Sequence, residues 1–198
     1  MTEQRSGSRL LTWIGYLGIT VLLMLPLSIL TVRSGAWQQG LLLYALACLG
    51  SAILLLVLAL LFILPRFAES RRAIGQRILW VVPGTVLLLM LLGGRGDIPP
   101  IHDISTDTVN PPAFEAAIAA RGENSNSLET DPEVVAQQLS AYPDIKPLNS
   151  DLQAAQAFDT ALAVVKDMGW DILAQDKSAG IIEAVDTTAI MAFKDDVV

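Results

Sequence analysis

Residues 41–64 read LLLYALACLGSAILLLVLALLFIL, and this most apolar stretch of the chain decides the fold class. The stretch carries no charge, and a helix rising about 1.5 Å per residue crosses a hydrocarbon core of about 30 Å in 20 residues. A second uncharged run, residues 10–32, precedes it and is also long enough. We therefore predict two transmembrane helices here.

A third span is predicted over residues 76–94. Its apolar run, residues 78–92, reaches only about 22 Å, so it crosses if the Arg77 side chain extends to the interface. The alternative for this short run is a re-entrant or interfacial helix. The first span follows basic residues, as in a signal peptide, but it exceeds the usual apolar length of about 7–15 residues and predicts a retained anchor.

Charge divides the chain at residues 93–97. The chain has 13 Lys+Arg, 20 Asp+Glu and a net charge of -7, of which residues 1–95 contribute +6 (8 basic, 2 acidic) and residues 96–198 contribute -13 (5 basic, 18 acidic). We predict a membrane anchor over residues 1–95 and an acidic domain over residues 96–198. A domain of this charge repels nucleic acid and anionic headgroups, so no nucleic-acid partner is expected. The mean hydropathy of +0.51 is unlike that of a disordered chain.

The orientation follows from the basic residues in the short loops, because cytoplasmic loops retain Lys and Arg. With the N-terminus in the cytoplasm, the arginines on the inner side are Arg5, Arg9, Arg66, Arg71, Arg72 and Arg77, and those on the outer side are Arg33 and Arg95. Three spans in the inner (plasma) membrane then place the acidic domain in the periplasm or its equivalent. The apolar runs contain no charged residue, so we expect an anchor rather than a transporter.

The acidic half is predicted to be a small α+β domain with an antiparallel sheet. Three helices are expected: one capped by Asn110 and opened by Pro112, one capped by Asp131 ahead of Pro132, and one that follows a capping box of Ser150 and Gln153 and stops at Gly169. Residues 170–175 and 181–187 predict a hairpin, and residues 189–193 begin a third strand. Val197 and Val198 look like strand residues with nothing after them. We therefore expect an incomplete sheet and a fragment of a longer gene product.

Five blocks in this half resemble a known family. They are PPIHDISTDTVNPPAF (99–114), AYPDIKPL (141–148), a helix ending in Gly169-Trp170, GIIEAVDTT (180–188) and FKDDVV (193–198). In this order they resemble the Domain of Unknown Function 1499 family of bacteria and plastids. The resemblance implies a small extracytoplasmic α+β domain that often follows a hydrophobic segment and continues past the last block. It implies no reaction, because the family has no agreed activity.

The residues that could carry chemistry are few. His102, Asp103 and Asp107 are the usual parts of an acid/base pair or a hard-metal site, and Glu183 is a carboxylate within an apolar strand that must face water or be paired. The bland interpretation is that Asp, Ser and Thr side chains of this segment cap turns and helix starts. A calcium loop is excluded because its sixth and twelfth positions are Thr108 and Phe114.

No cofactor and no metal are expected from the sequence. Cys48 is the single cysteine and His102 the single histidine, so neither a disulfide nor a Cys/His zinc cluster can form within the chain. We predict an integral membrane protein that presents an acidic binding or interaction domain in the cell envelope, with an envelope protein or a lipid as its partner. The alternative is a membrane-anchored hydrolase or metal-dependent enzyme that uses His102, Asp103 and Asp107.

Overall fold

The structure is a computed structural model that describes residues 2–94, 98–122 and 125–198, with side chains from residue 9 onward. The chain divides into two compact units, Met1–Gly96 and Asp97–Val198. The described residues exclude Arg95 and with it part of the predicted domain boundary. The side chain of Arg5 is also outside them.

Residues 2–94 of the first unit form three long apolar helices: α1 (Thr2–Arg33), α2 (Trp37–Ile63) and α3 (Arg71–Gly93), with a 3₁₀ turn (Pro65–Ser70) between α2 and α3. The segments Arg9–Arg33, Trp37–Ile63 and Pro65–Gly93 are each long and apolar enough to cross a membrane. The helix at the third segment therefore begins earlier than its apolar run, and its length no longer argues for a re-entrant helix.

Small residues let the three helices approach closely. Ser51 is fully buried, and a Cβ added at Gly84 of α3 would overlap its Oγ. Close approach of backbones over small side chains is typical of helix packing in membranes. The remaining core of the unit includes Leu58, Ile74 and Val81, each fully buried.

A half-buried arginine joins α3 to α1. The Nε of Arg77 donates a hydrogen bond of 2.8 Å to the carbonyl oxygen of Leu11, and its Nη1 donates one of 2.7 Å to that of Ala73. Gly15 leaves the room for this contact, since a Cβ there would lie 3.1 Å from the Arg77 Nε. The start of α1 and the start of α3 are thus fixed at the same end of the bundle.

The described residues of the second unit, 98–122 and 125–198, form three short helices and a sheet. Its helices are α4 (Ala116–Ala120), α5 (Pro132–Ala141) and α6 (Ala154–Asp167), and its strands are β1 (Asp171–Asp176), β2 (Ile181–Thr187) and β3 (Lys194–Val197). The strands form an antiparallel sheet in the order β1-β2-β3. The small domain with an antiparallel sheet is therefore confirmed.

The register sorts the side chains of β2 and β3 onto two faces of the sheet. Asp196 pairs with Val185 and Val197 pairs with Ala184, and successive strand residues point to opposite faces. Glu183, Val185 and Asp196 therefore share the face that carries α4. Ala184 and Val197 share the other face, which carries α6.

Several predicted element ends are confirmed. Asp131 caps α5, its Oδ1 accepting a hydrogen bond of 2.8 Å from the N–H of Glu133, with Pro132 in the first turn. Gly169 follows α6 with a positive φ of 75°, a conformation that glycine adopts without a steric penalty.

Other predicted element starts are wrong. Helix α4 begins at Ala116 rather than at Pro112, and its N-cap residue is Glu115 rather than Asn110. The capping box of α6 does not form: the N-cap residue is Gln153, and the Ser150 Oγ accepts a hydrogen bond from the N–H of Leu152 in the loop.

The third strand also starts later than predicted, at Lys194. The residues before it form a tight turn in which Thr188 and Phe193 exchange hydrogen bonds: the N–H of Thr188 donates to the Phe193 carbonyl, and the N–H of Phe193 donates to the Thr188 Oγ1. Ala192 lies within this turn at φ 56°. Local side-chain bonds here compete with strand pairing.

Candidate functional site

The segment before α4 carries three of the four residues with candidate chemistry. His102 and Asp103 are exposed, and Asp107 is half-buried. The Oδ1 of Asp107 accepts hydrogen bonds of 3.0 Å from the N–H of Val109 and 2.9 Å from that of Asn110. An Asp that bonds the backbone two and three residues on is a turn former, so this carboxylate stabilises the bend of the segment.

Gln138 of α5 holds the same segment in place. Gln138 is only 2% exposed. Its Oε1 accepts a hydrogen bond of 3.0 Å from the N–H of Ser105, and its Nε2 donates one of 2.6 Å to the Ser105 carbonyl. The amide thus satisfies both backbone groups of one residue, as a neighbouring strand would. These hydrogen bonds join the segment to α5, although Ser105 and Gln138 are 33 positions apart in sequence.

Glu183 of β2 is buried beneath the start of α4. Its side chain is 2% exposed, and its two carboxylate oxygens accept three backbone hydrogen bonds. Oε1 accepts from Glu115 at 3.0 Å and from Ala116 at 2.9 Å, and Oε2 accepts from Ala117 at 2.9 Å. These are N–H groups that the first turn of a helix leaves without an intrahelical partner. Glu183 therefore caps α4 from the sheet.

Two opposing effects set the pKa of Glu183. Burial raises the pKa of the carboxyl group, since it disfavours the charged form, but the three N–H donors stabilise that form and together hold the pKa below its ordinary value. Glu183 is thus an ionised cap at neutral pH. The expectation that this carboxylate faces water or is paired is met by pairing with the backbone.

An ion pair ties the other end of α4 to the sheet. The Nε of Arg121, directly after α4, lies 3.4 Å from the Oδ2 of Asp196 on β3, with side-chain exposures of 16% and 12%. The Nη2 of Arg121 also donates 2.7 Å to the Asn126 carbonyl. Asp196 is therefore half-buried and paired with Arg121, whereas its neighbour Asp195 is exposed.

An apolar groove of about 510 Å³ lies on the opposite face of the sheet, between α6 and the strands. All the residues that line it are apolar: Ala154, Ala157, Phe158, Ala161, Val165, Gly180, Ile182, Ala184, Val197 and Val198. Volumes of this size are typical of small-molecule sites. The spacing of α6 predicted an apolar face, but the sequence did not show that this face leaves a groove.

The geometry does not gather the sequence candidates into one site. Among the described residues, no three His, Cys, Asp or Glu side chains are placed to hold a metal ion. Asp107 shapes a turn, and both oxygens of Glu183 are engaged by α4. A catalytic role of His102 and Asp103 stays a prediction.

Sequence reasoning missed Gln138 and Arg121. Gln138 follows Val134 and Val135 at a helical spacing of four and three residues, so it occupies a position at which an apolar residue is expected. A polar residue in an apolar stripe was thus an available signal. Arg121 gave none, because its partner lies far along the chain on β3.

The fold thus defines a class of protein: three helices able to span a membrane, followed by a small domain with helices on both faces of a three-stranded antiparallel sheet. Residues 103–198 match the model of the family described as Protein of unknown function (DUF1499), which confirms the resemblance of this domain to that family. Comparison with the curated proteins and with the solved structures gave no match.

Proposed function

We propose that this chain is an integral membrane protein whose three helices anchor an acidic binding domain on the outer side of the cytoplasmic membrane. The observation that carries the proposal is the apolar groove between α6 and the sheet. A concave apolar surface is the common form of a ligand site in a small domain. The binding role is favoured over a catalytic one because the groove is a concavity lined by apolar side chains, whereas the described acidic and histidine candidates form no metal-binding group.

The chemistry of the groove favours a hydrocarbon ligand. None of its lining side chains has a hydrogen-bonding group. A peptide backbone buried there would lose hydrogen bonds to water without side-chain replacements, whereas an acyl chain loses none. Each methylene moved from water into such a site contributes about 0.8 kcal/mol. We therefore infer that the groove binds an acyl chain of a membrane lipid.

The charge of the domain selects among lipids. Residues 96–198 carry a net charge of -13, so the domain repels anionic headgroups. We therefore expect the acyl chain in the groove to belong to a zwitterionic phospholipid. This preference separates insertion into the groove from simple adhesion to a membrane surface.

The proposed orientation is supported by the packing of the helices. Arg77 bonds the Leu11 carbonyl, so the start of α1, with Arg9, shares one end of the bundle with the start of α3. The 3₁₀ turn with Arg66 lies directly before α3, and Arg71 and Arg72 are the first residues of α3, so these three arginines lie at that same end. By the loop-charge rule this end is cytoplasmic, and Arg33 at the end of α1 is on the outer side.

A reporter fusion tests the orientation. An enzyme that is active only outside the cytoplasm, fused after residue 96, is expected to give signal. The same enzyme fused at residue 68, in the 3₁₀ turn, is the matched control and is expected to be silent. Signal from the second fusion and silence from the first would overturn the orientation.

Photocrosslinking tests the binding role. The full chain in membranes is exposed to a zwitterionic phospholipid with a diazirine in its acyl chain, irradiated, digested and mapped by mass spectrometry. We expect labelled peptides from α6 and β2 in addition to those from the membrane helices. Ala157→Trp fills the groove and should abolish the label on β2; Ala163→Trp, on α6 outside the groove lining, should leave it unchanged.

Two results would contradict the binding role. One is labelling confined to the membrane helices in the unmodified chain. The other is equal labelling of β2 in both tryptophan variants. A catalytic alternative has a separate test: tight binding of a divalent cation that is lost in Asp103→Ala would support the metal-dependent hypothesis.

A further inference from the structure

Residues 65–72, termed the arginine loop, comprise the 3₁₀ turn after α2 and the first two residues of α3, and they carry Arg66, Arg71 and Arg72. All three side chains are exposed. The loop directly follows Leu64, the C-cap residue of α2 and the last residue of the most apolar stretch of the chain. When α2 and α3 span a bilayer, the loop therefore lies at the depth of the lipid headgroups.

Two of the guanidinium groups rest on aromatic rings. The Cζ of Arg66 lies 4.8 Å from the centre of the Phe67 ring, which is buried, and the Cζ of Arg71 lies 5.6 Å from the centre of the Phe62 ring. The Nε of Arg71 also donates 3.2 Å to the Phe62 carbonyl. These contacts restrict both side chains at the end of α2, which reduces the entropy that a ligand must overcome to order them.

One acid, the exposed Glu69, lies within the arginine loop, so three arginines and one glutamate give the loop a net charge of +2. Among the side chains that the structure describes, no carboxylate lies within ion-pair distance of the guanidinium of Arg66, Arg71 or Arg72; the pairs found involve Arg121 and Lys177. Arg77 differs from these three arginines, because its guanidinium group donates hydrogen bonds to the carbonyl oxygens of Leu11 and Ala73. The charge of the loop is thus available to an external anion.

We propose that the arginine loop is a binding site for the phosphate of an anionic phospholipid headgroup. Guanidinium groups bind phosphate oxygens through paired N–H donors, and basic clusters next to a membrane helix attract anionic lipids. The occupant is a lipid rather than free phosphate, because the site adjoins the lipid-facing ends of α2 and α3. The proposal rests on membrane insertion and is independent of the groove and of the side on which the domain lies.

Native mass spectrometry of the full chain tests the site. The protein is purified in an uncharged detergent and titrated with phosphatidylglycerol or phosphatidylcholine, and bound lipids are counted. Each basic residue near an anionic surface contributes about a fivefold affinity, so the combined variant R66Q/R71Q/R72Q should lose about a hundredfold for phosphatidylglycerol. Phosphatidylcholine binding should not change.

Arg33→Gln at the other end of α1 is the charge-matched control and should retain phosphatidylglycerol. Arg72→Gln alone, on an exposed side chain, should lose about fivefold and serves if the combined variant loses its helicity. An affinity for phosphatidylglycerol that stays unchanged in R66Q/R71Q/R72Q or in Arg72→Gln would overturn the proposal. So would displacement of the lipid by millimolar glycerol 3-phosphate, since the site would then recognise free phosphate.

Discussion

Replacing Glu183 by Gln tests the idea that one buried carboxylate attaches α4 to the sheet. The amide keeps one oxygen, which can still accept from Glu115 and Ala116, but its NH₂ group faces the N–H of Ala117, a residue that is 1% exposed. A buried donor left without an acceptor costs about 1–3 kcal/mol. The other two bonds lose the assistance of the charge.

We expect Glu183→Gln to lower the free energy of unfolding of the domain by about 3 kcal/mol, a large part of the 5–15 kcal/mol typical of a domain. The assay is urea-dependent proteolysis of the full chain in detergent, in which cleavage of the domain reports its unfolding. At a slope of about 1.5 kcal/mol per molar urea, the midpoint should fall by about 2 M.

Glu115→Gln is the matched control for this change. It removes the same charge from an exposed side chain next to α4 and keeps the backbone N–H that bonds Glu183. Its midpoint should stay within about 0.3 M of that of the unmodified chain. Hydrogen exchange at Ala116 and Ala117 should accelerate only in Glu183→Gln. Equal midpoints and equal exchange in the two variants would refute the capping role.

Three further predictions concern the titration of Glu183, the amide of Gln138 and the packing at Gly84. Because the folded pKa of Glu183 is lowered, its contribution to stability is fully present above the ordinary carboxyl pKa of about 4.3 and is lost as pH falls through the folded value. The urea midpoint of the unmodified chain should therefore approach that of Glu183→Gln only as the pH is lowered below about 4.3. Gln138→Met should lower the free energy of unfolding by about 2 kcal/mol and speed hydrogen exchange at Ser105. Unchanged exchange at Ser105 would exclude the role of the Gln138 amide in holding this segment. Gly84→Ala should destabilise the helix bundle by about 1–3 kcal/mol in an SDS unfolding titration, while Gly75→Ala, with open space around its Cβ, should not; equal effects would contradict the close approach at Ser51.

The fold of the first unit was largely predictable. An uncharged run of more than 20 residues has few alternatives to a membrane helix, because every backbone group must be satisfied within the segment. The start of α3 was harder to predict because Arg77 interrupts the apolar pattern. Its charge is satisfied by carbonyl groups of α1 and α3, which only the packed bundle brings within reach.

The second unit shows where local signals suffice and where they do not. Asp131 with Pro132, and Gly169, act within one or two turns of their own helix, so their effects could be predicted from neighbouring residues. Asn110 and Ser150 carry the same kind of signal, yet neither caps a helix. In the case of α4 a remote group, Glu183, supplies the acceptors instead.

The candidate site divides in the same way. The sequence identified Glu183 as a carboxylate that needs a partner, since it stands between apolar residues of a strand. Its partners are 66–68 positions away, at the start of α4, and no pattern in the sequence names them. The apolar groove is likewise a gap between α6 and the sheet, and its volume depends on how closely two elements approach.

The sequence by itself determined the apolar segments, the charge division between the two halves, the hairpin of β1 and β2, and the family of the domain. These features depend on composition and on residues near one another in the chain. The tertiary structure alone decided that Glu183 caps α4, that Asp196 pairs with Arg121, and that an apolar groove lies across the sheet. Each of these depends on the distance between groups far apart in sequence, which is fixed only when the elements pack.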